Sequence, residues 1–239
     1  MSRVLLKLKK GDEVKYLSHL DLVRAFELTL RRAGVPVAYS QGFNPRPKMS
    51  FGSAVGVGVT SDDERIMLEL ASPVPPYQVM ESLNSSLPPG IRVLDAVEIP
   101  DGVKSPISEI NASRFRIDLV CDGSCDPSAV EQAIGALFDV SEVVVTRARK
   151  DETRTVDIRP NLLGARIIGR EGDGISIEAD LGFSDSGGAT PRDFVQALQT
   201  RMSNLSMKRI HRMSQYHADA PSPLGSPARG RDPAKGVEG

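Results

Sequence analysis

The succession of periodicities along the chain is what most constrains its fold. Val4, Leu6 and Leu8 alternate with Leu5, Lys7 and Lys9, which predicts a strand from about Arg3 to Lys9. Ser18 and Asp21 then form a Ser-x-x-Asp helix start. Leu20, Val23, Phe26, Leu30 and Ala33 step at helical spacing, and Gly34 before Pro36 is a stop signal. Val35 to Tyr39 and Arg65 to Leu70 read as strands, Pro75 to Leu87 as a helix and Ile91 to Ile99 as a strand. The order β-α-β-β-α-β is the ferredoxin-like plan, in which two helices cover one face of an antiparallel sheet.

Asp101 to Ser113, with Gly102 and Pro106 and no clear period, reads as a linker. The plan then starts again. Arg114 to Cys121 is an expected strand, Pro127 to Phe138 a helix and Glu142 to Arg149 a strand. Further strands are expected at Thr155 to Arg159, Ala165 to Arg170 and Ile175 to Asp180. Thr190 and Pro191 open a last helix, and Met207 to Tyr216 makes a final strand. The predicted class is therefore α+β: two ferredoxin-like (βαββαβ) units with antiparallel sheets, the second with an added hairpin. The expected domains are 1–104 and 112–217, followed by a disordered tail over 218–239, where Pro, Gly, Ser and charged residues dominate.

No apolar run approaches the roughly 18 residues of a membrane span, so no membrane association is expected. The charged N-terminus reads as a strand and not as a signal peptide. Cys121 and Cys125 give no disulfide framework and, with three His in the chain, cannot complete a metal site. The expectation is a cytoplasmic protein without metal or cofactor. A net charge of -1 conceals segregation, because residues 1–50, 143–170 and 206–239 are basic while 51–142 and 171–205 are acidic. One expectation is that the basic blocks at 1–50, 143–170 and 206–216 share a face and attract an anionic partner.

The segment from Lys15 to Lys48 is the richest in candidate site residues. Tyr16, Ser18, His19, Asp21 and Arg24 surround a helix N-terminus, where unpaired amides favour a phosphate or carboxylate. The alternative is a capping box with His19 as a local partner. Tyr39, Gln41, Phe43, Asn44, Arg46 and Lys48 combine stacking faces, amides and cations, the ingredients for holding single-stranded nucleic acid or a nucleotide-like ligand. Pro45 and Pro47 stiffen that loop. The alternative is a structural loop with Phe43 anchored in the core. Arg147, Asp157, Arg159, Arg209 and Arg212 complete the candidate ligand-binding set, with the hairpin and last strand adjoining as a basic stripe. No nucleophile–base–orienter set stands out, so no catalytic residue is assigned.

Tyr-Leu-Ser-His-Leu-Asp at 16–21, Arg-Arg-Ala-Gly at 31–34, Ala-Tyr-Ser-Gln-Gly-Phe-Asn-Pro-Arg-Pro-Lys at 38–48 and Val-Asp-Ile-Arg-Pro at 156–160 resemble the radical SAM-linked proteins, a bacterial family carrying the DUF2344 domain. The resemblance covers nearly the whole chain up to about residue 216. It implies an accessory or substrate-handling module that partners a B12-binding radical SAM protein. The chain lacks the Cys-x3-Cys-x2-Cys of a radical SAM cluster, so it is similar to the stand-alone member and not to the catalyst. The expected function is a non-catalytic module binding RNA or another anionic substrate beside that enzyme. Two rivals are a metal-independent ribonuclease or RNA-modifying enzyme using His19, and a pure protein–protein adaptor.

Overall fold

Strand β1 (Ser2–Lys10) lies between β3 (Thr60–Leu70) and β4 (Ile91–Ile99), antiparallel to both. Paired on both edges and covered on both faces at its centre, it hides Leu5 as fully as Val4 and Leu6, while Lys9 near its end stays exposed. The computed structural model describes residues 2–123, 126–149, 152–184 and 187–218. Residues 219–239, to which nearly all of the expected tail belongs, and Cys125 lie outside the described residues.

Helix α1 (His19–Arg32) starts on the expected capping box and buries Leu22, Phe26, Thr29 and Leu30. It packs with α2 (Pro76–Asn84) over Val4, Leu6, Leu8, Ile66, Leu68 and Val93. On the other face, Leu5, Met67 and Ile99 form a small cluster that Ile107 of the linker covers. The expected strand at Val35 to Tyr39 does not form. Only single bridges join Val37 to Leu70 and Tyr39 to Pro47, because Pro36 and Pro47 offer no amide to extend a ladder. Its place beside β3 is taken by the three-residue β2 (Met49–Phe51).

The second half comprises β5 (Ala112–Cys121), α3 (Pro127–Phe138), β6 (Val144–Arg149), β7 (Glu152–Asp157), β8 (Leu162–Glu171), β9 (Gly174–Ser184), β10 (Gly187–Gly188), α4 (Pro191–Gln199) and β11 (Leu205–Tyr216). Arg159 falls in a one-turn 3-10 segment beginning Arg159–Pro160, and not in the expected strand, since Pro160 cannot donate to a ladder. Strands β6 and β7 pair only with each other, off the main sheet.

The antiparallel strands expected in two units are joined in the structure into one sheet. All other strands belong to one 9-stranded sheet of order β10-β9-β5-β11-β3-β1-β4, with β2 on β3 and β8 on β9. The halves meet where β11 runs parallel to β3, His211 opposite Thr60 and Arg212 opposite Ser61. β3 is long enough to pair β2 with its last third and still present its first residues to β11, so the sheet edge that each half would expose is covered.

Buried polar groups fasten this joint. The guanidinium of Arg212 pairs with Glu64, donates to Ser61 Oγ at 3.2 Å and to the Ser53 carbonyl at 2.6 Å. Asp63 pairs with Arg65 and accepts from the Gln215 amide at 2.7 Å. The Gln215 side chain returns a bond to the Asp63 carbonyl at 2.6 Å. Every hydrogen bond here crosses the joint or braces a side chain that does, so the charges are compensated on the spot.

Candidate functional site

The loop after α1 is built by its neck. Gly34, with φ 65, turns the chain out of the helix. The Ser40 amide donates to the Arg46 carbonyl at 2.9 Å, and the Arg46 amide donates to Ser40 Oγ at 3.0 Å. One step further in, the Lys48 amide donates to the Ala38 carbonyl at 2.7 Å, and Pro47 is buried beneath. Gly42, with φ 123, reverses the tip. Gln41, Phe43, Asn44 and Arg46 all point into solvent, and Tyr39 is exposed beside them. Phe43 has a relative exposure of 105 %, so it anchors nothing in the core. Arg46 has no side-chain hydrogen bond or ion pair among the described residues, whereas Lys48 Nζ sits 3.1 Å from Glu69. A closed neck holding a solvated aromatic and a free guanidinium is a presented surface with little left to order on binding.

At the start of α1 the capping box uses the polar atoms of Ser18 and Asp21. Ser18 Oγ donates to Asp21 Oδ2 at 2.6 Å and accepts from the Asp21 amide at 3.2 Å. The bonds that Ser18 Oγ and the Ser18 amide donate to Asp21 Oδ2 hold the Asp21 carboxyl below its ordinary range. Arg24 lies 3.8 Å from Asp21 and is otherwise solvated. Of the residues expected to hold an anion here, Ser18 and Asp21 are engaged in the cap, whereas His19 and Arg24 are exposed. The His19 ring meets Phe51 edge-on at 5.3 Å, which ties the helix start to the strand leaving the loop. Tyr16 is exposed, with the Lys15 ammonium 5.4 Å from its ring centre.

The remaining candidates are not gathered at this loop. Arg147 grips Asp193 with two nitrogens, at 3.1 and 2.6 Å, and also donates to the Gly188 carbonyl. Asp193 is the third residue of α4, boxed with Thr190. Burial pushes the Asp193 carboxyl up, but the bonds from Arg147 and Thr190 outweigh it and hold the group below the usual range. Asp157 Oδ1 accepts from the Val143 and Arg159 amides at 2.8 and 2.9 Å. Arg159 donates to the carbonyl of Phe138, the last residue of α3, at 2.8 Å and to that of Val140 just beyond the helix at 3.1 Å, which is a helix C-cap role. These three residues hold architecture.

The expected basic stripe is also corrected. Arg209 lies opposite Asp118 on the open face of the sheet, while Arg212 lies opposite Phe115 and is buried, so the two cations point to opposite sides. Arg209 bonds Asp12 at 3.0 Å. Around it the open face carries a polar cleft of about 450 Å³ at the joint, which the sequence reading passed over. There His211 sits 2.8 Å from Thr60 Oγ1 and 3.0 Å from Asp62. Arg116 and Ser176 bond Asp118 and, against the opposing effect of burial, keep its carboxyl ionised below the ordinary range. Its charges neutralise one another, so it is a seam of cross-strand pairs and offers no net field to an anion. Its traces in the sequence are Lys9-Lys10 and Asp62, which lie far apart in the chain. Among the described residues, no group of three or more His, Cys, Asp or Glu side chains could hold a metal ion. No helix among them is long and apolar enough to cross a membrane.

Comparison with solved structures places the fold. A chain in the crystal structure of a Cbf5-Nop10-Gar1 complex aligns at TM-score 0.52 and 10% identity, covering 89% of this chain and 48% of that one. A chain of the archaeal box H/ACA sRNP Nop10-Cbf5 complex aligns at TM-score 0.48 and 9% identity, covering 87% and 46% respectively. The protein thus spans about half the length of these solved chains, and the likeness to the first is one of fold. The comparison with curated proteins gave no match. The family described as "Uncharacterized protein conserved in bacteria (DUF2344)" matches residues 3–191, most of the sheet and three of the four helices, and the chain belongs to that family.

Proposed function

We propose that the protein is a non-catalytic module that binds RNA through the 38–48 loop, as substrate-handling partner of a B12-binding radical SAM enzyme. The observation that carries the reading is Phe43, fully solvated on a loop whose neck is closed and whose Arg46 is unpaired. An aromatic face and a cation presented on one loop suit a stacked base and its phosphate. Gln41 and Asn44 supply amides for base edges, and Tyr39 a second ring. His19 and Arg24 extend the surface along the helix start. Within this reading, each half of the sheet is a ferredoxin-like unit, residues 1–104 and 112–217, whose strand orders β2-β3-β1-β4 and β8-β9-β5-β11 follow the same plan. The enzyme partner rests on the sequence resemblance alone, and the cytoplasm is the compartment proposed for both.

Titration of a labelled single-stranded RNA tests the site. Phe43→Ala should weaken binding by about 1–3 kcal/mol, the value of one base–aromatic stack. Arg46→Ala should weaken it and flatten its salt dependence by one phosphate contact. Both variants should keep folding stability within about 0.5 kcal/mol of the parent, as surface changes do. Unaltered RNA affinity in both would remove the loop from the binding surface, and RNA cleavage lost in His19→Ala would make the protein a nuclease instead.

A further inference from the structure

A cavity of about 320 Å³ opens on the helix-covered side of the joint, away from the loop. The loop flanks the end of β3 through the Lys48–Glu69 pair, whereas the cavity is walled by Arg212, which pairs with Ser61 at the start of the same strand. Its volume lies at the lower end of the range for small-molecule sites, about 300–1,000 Å³. The inner wall is apolar, made by Val59, Phe115, Leu181 and Ile210. The outer lip is the strip Ser53–Gly56, where a Cβ on Gly56 would meet nothing within 4 Å.

The polar groups have one sign. Three guanidiniums, of Arg147, Arg192 and Arg212, line the cavity, and no carboxylate does among the described residues. Arg147 and Arg212 are already neutralised by Asp193 and Glu64 behind the wall. Arg192 is exposed and makes no hydrogen bond or ion pair among the described residues. Its Nη2 lies 4.0 Å from the position of a Cβ on Gly58, which sets the free charge beside the lip. An apolar chamber with one unanswered cation at its mouth matches an occupant with an apolar body and one anionic head.

We infer that this cavity is a binding site for a small amphiphilic anion, an aromatic or branched aliphatic carboxylate being the simplest case, with Arg192 holding the head group. The site is separate from the RNA-binding reading. The test titrates the full chain with 2-naphthoate and with its neutral isostere 2-naphthalenemethanol, read by naphthyl fluorescence. Naphthoate should bind about tenfold more tightly than the alcohol, the effect of one charged hydrogen bond. Arg192→Gln should erase that difference, and Val55→Trp, which fills the cavity from the lip, should weaken both ligands. Phe43→Ala should leave naphthoate binding unchanged, so failure of the loop reading does not touch this result. Thermal midpoints identify any variant that fails to fold. Equal affinity for the two probes, naphthoate binding insensitive to both cavity variants, or no binding of either probe to the folded parent at millimolar concentration would overturn the inference.

Discussion

Arg212→Met is expected to lower folding stability by about 3–5 kcal/mol, because it leaves the Glu64 carboxylate buried without its partner. The same change also strands the Ser53 carbonyl, which the guanidinium now satisfies, and leaves Ser61 Oγ with the Asp63 amide alone of its two donors. Urea unfolding at neutral pH measures the loss. The informative comparison is the double variant with Glu64→Leu, which removes both charges at similar volume. It should recover most of the deficit, since a well-packed apolar pair does as well as a buried ion pair once neither charge is orphaned. A single variant within 1 kcal/mol of the parent would mean that water reaches the joint and that the halves are held by the ladder alone.

Asp193→Ala should cost about 3 kcal/mol. One carboxylate here closes the N-terminal box of α4 and anchors Arg147 from the β6–β7 hairpin. Loss of a cap is worth about 1 kcal/mol, and a charge-assisted bond about 1.5–3 kcal/mol. The pH dependence has a definite sign. The folded carboxyl titrates below its unfolded value, so its contribution is complete above about pH 4 and is lost as pH falls through the lower folded pKa. Asp193→Asn should therefore narrow its deficit against the parent as pH is lowered from 6 toward 3. A deficit constant across that interval would show that the charge contributes nothing and that only the side-chain shape matters.

Much of this architecture is written locally. The alternation of Val4, Leu6 and Leu8, the box formed by Ser18 and Asp21, and Thr190 before Pro191 each act within one turn or one strand, and each appears where its residues predict. The loop at 38–48 is legible for the same reason, and its Phe43 emerges as a solvated side chain and not a core anchor. The carboxylate partners of Arg147 and Arg212 are not legible in the same way, because they are remote in the chain. Asp193 follows Arg147 by 46 residues, and Glu64 precedes Arg212 by 148. A single basic residue on an alternating strand looks the same whether it meets solvent or a distant carboxylate. The parallel pairing of β3 with β11 was equally hidden, since its register rests on two residues from each strand and leaves no periodic trace.

That pairing governs the order in which the chain can mature. Residues of β3 find β1 and β2 nearby in sequence, but its outer edge at Thr60 and Ser61 must wait for β11. During synthesis, the earlier strands therefore emerge and assemble with an unsealed edge and with Asp63 and Glu64 still lacking Gln215 and Arg212. Closing a loop of that length is slow, so the last strand acts as the latch of the whole sheet. Nascent chains stalled before β11 should accordingly be the species that chaperones and proteases meet most often.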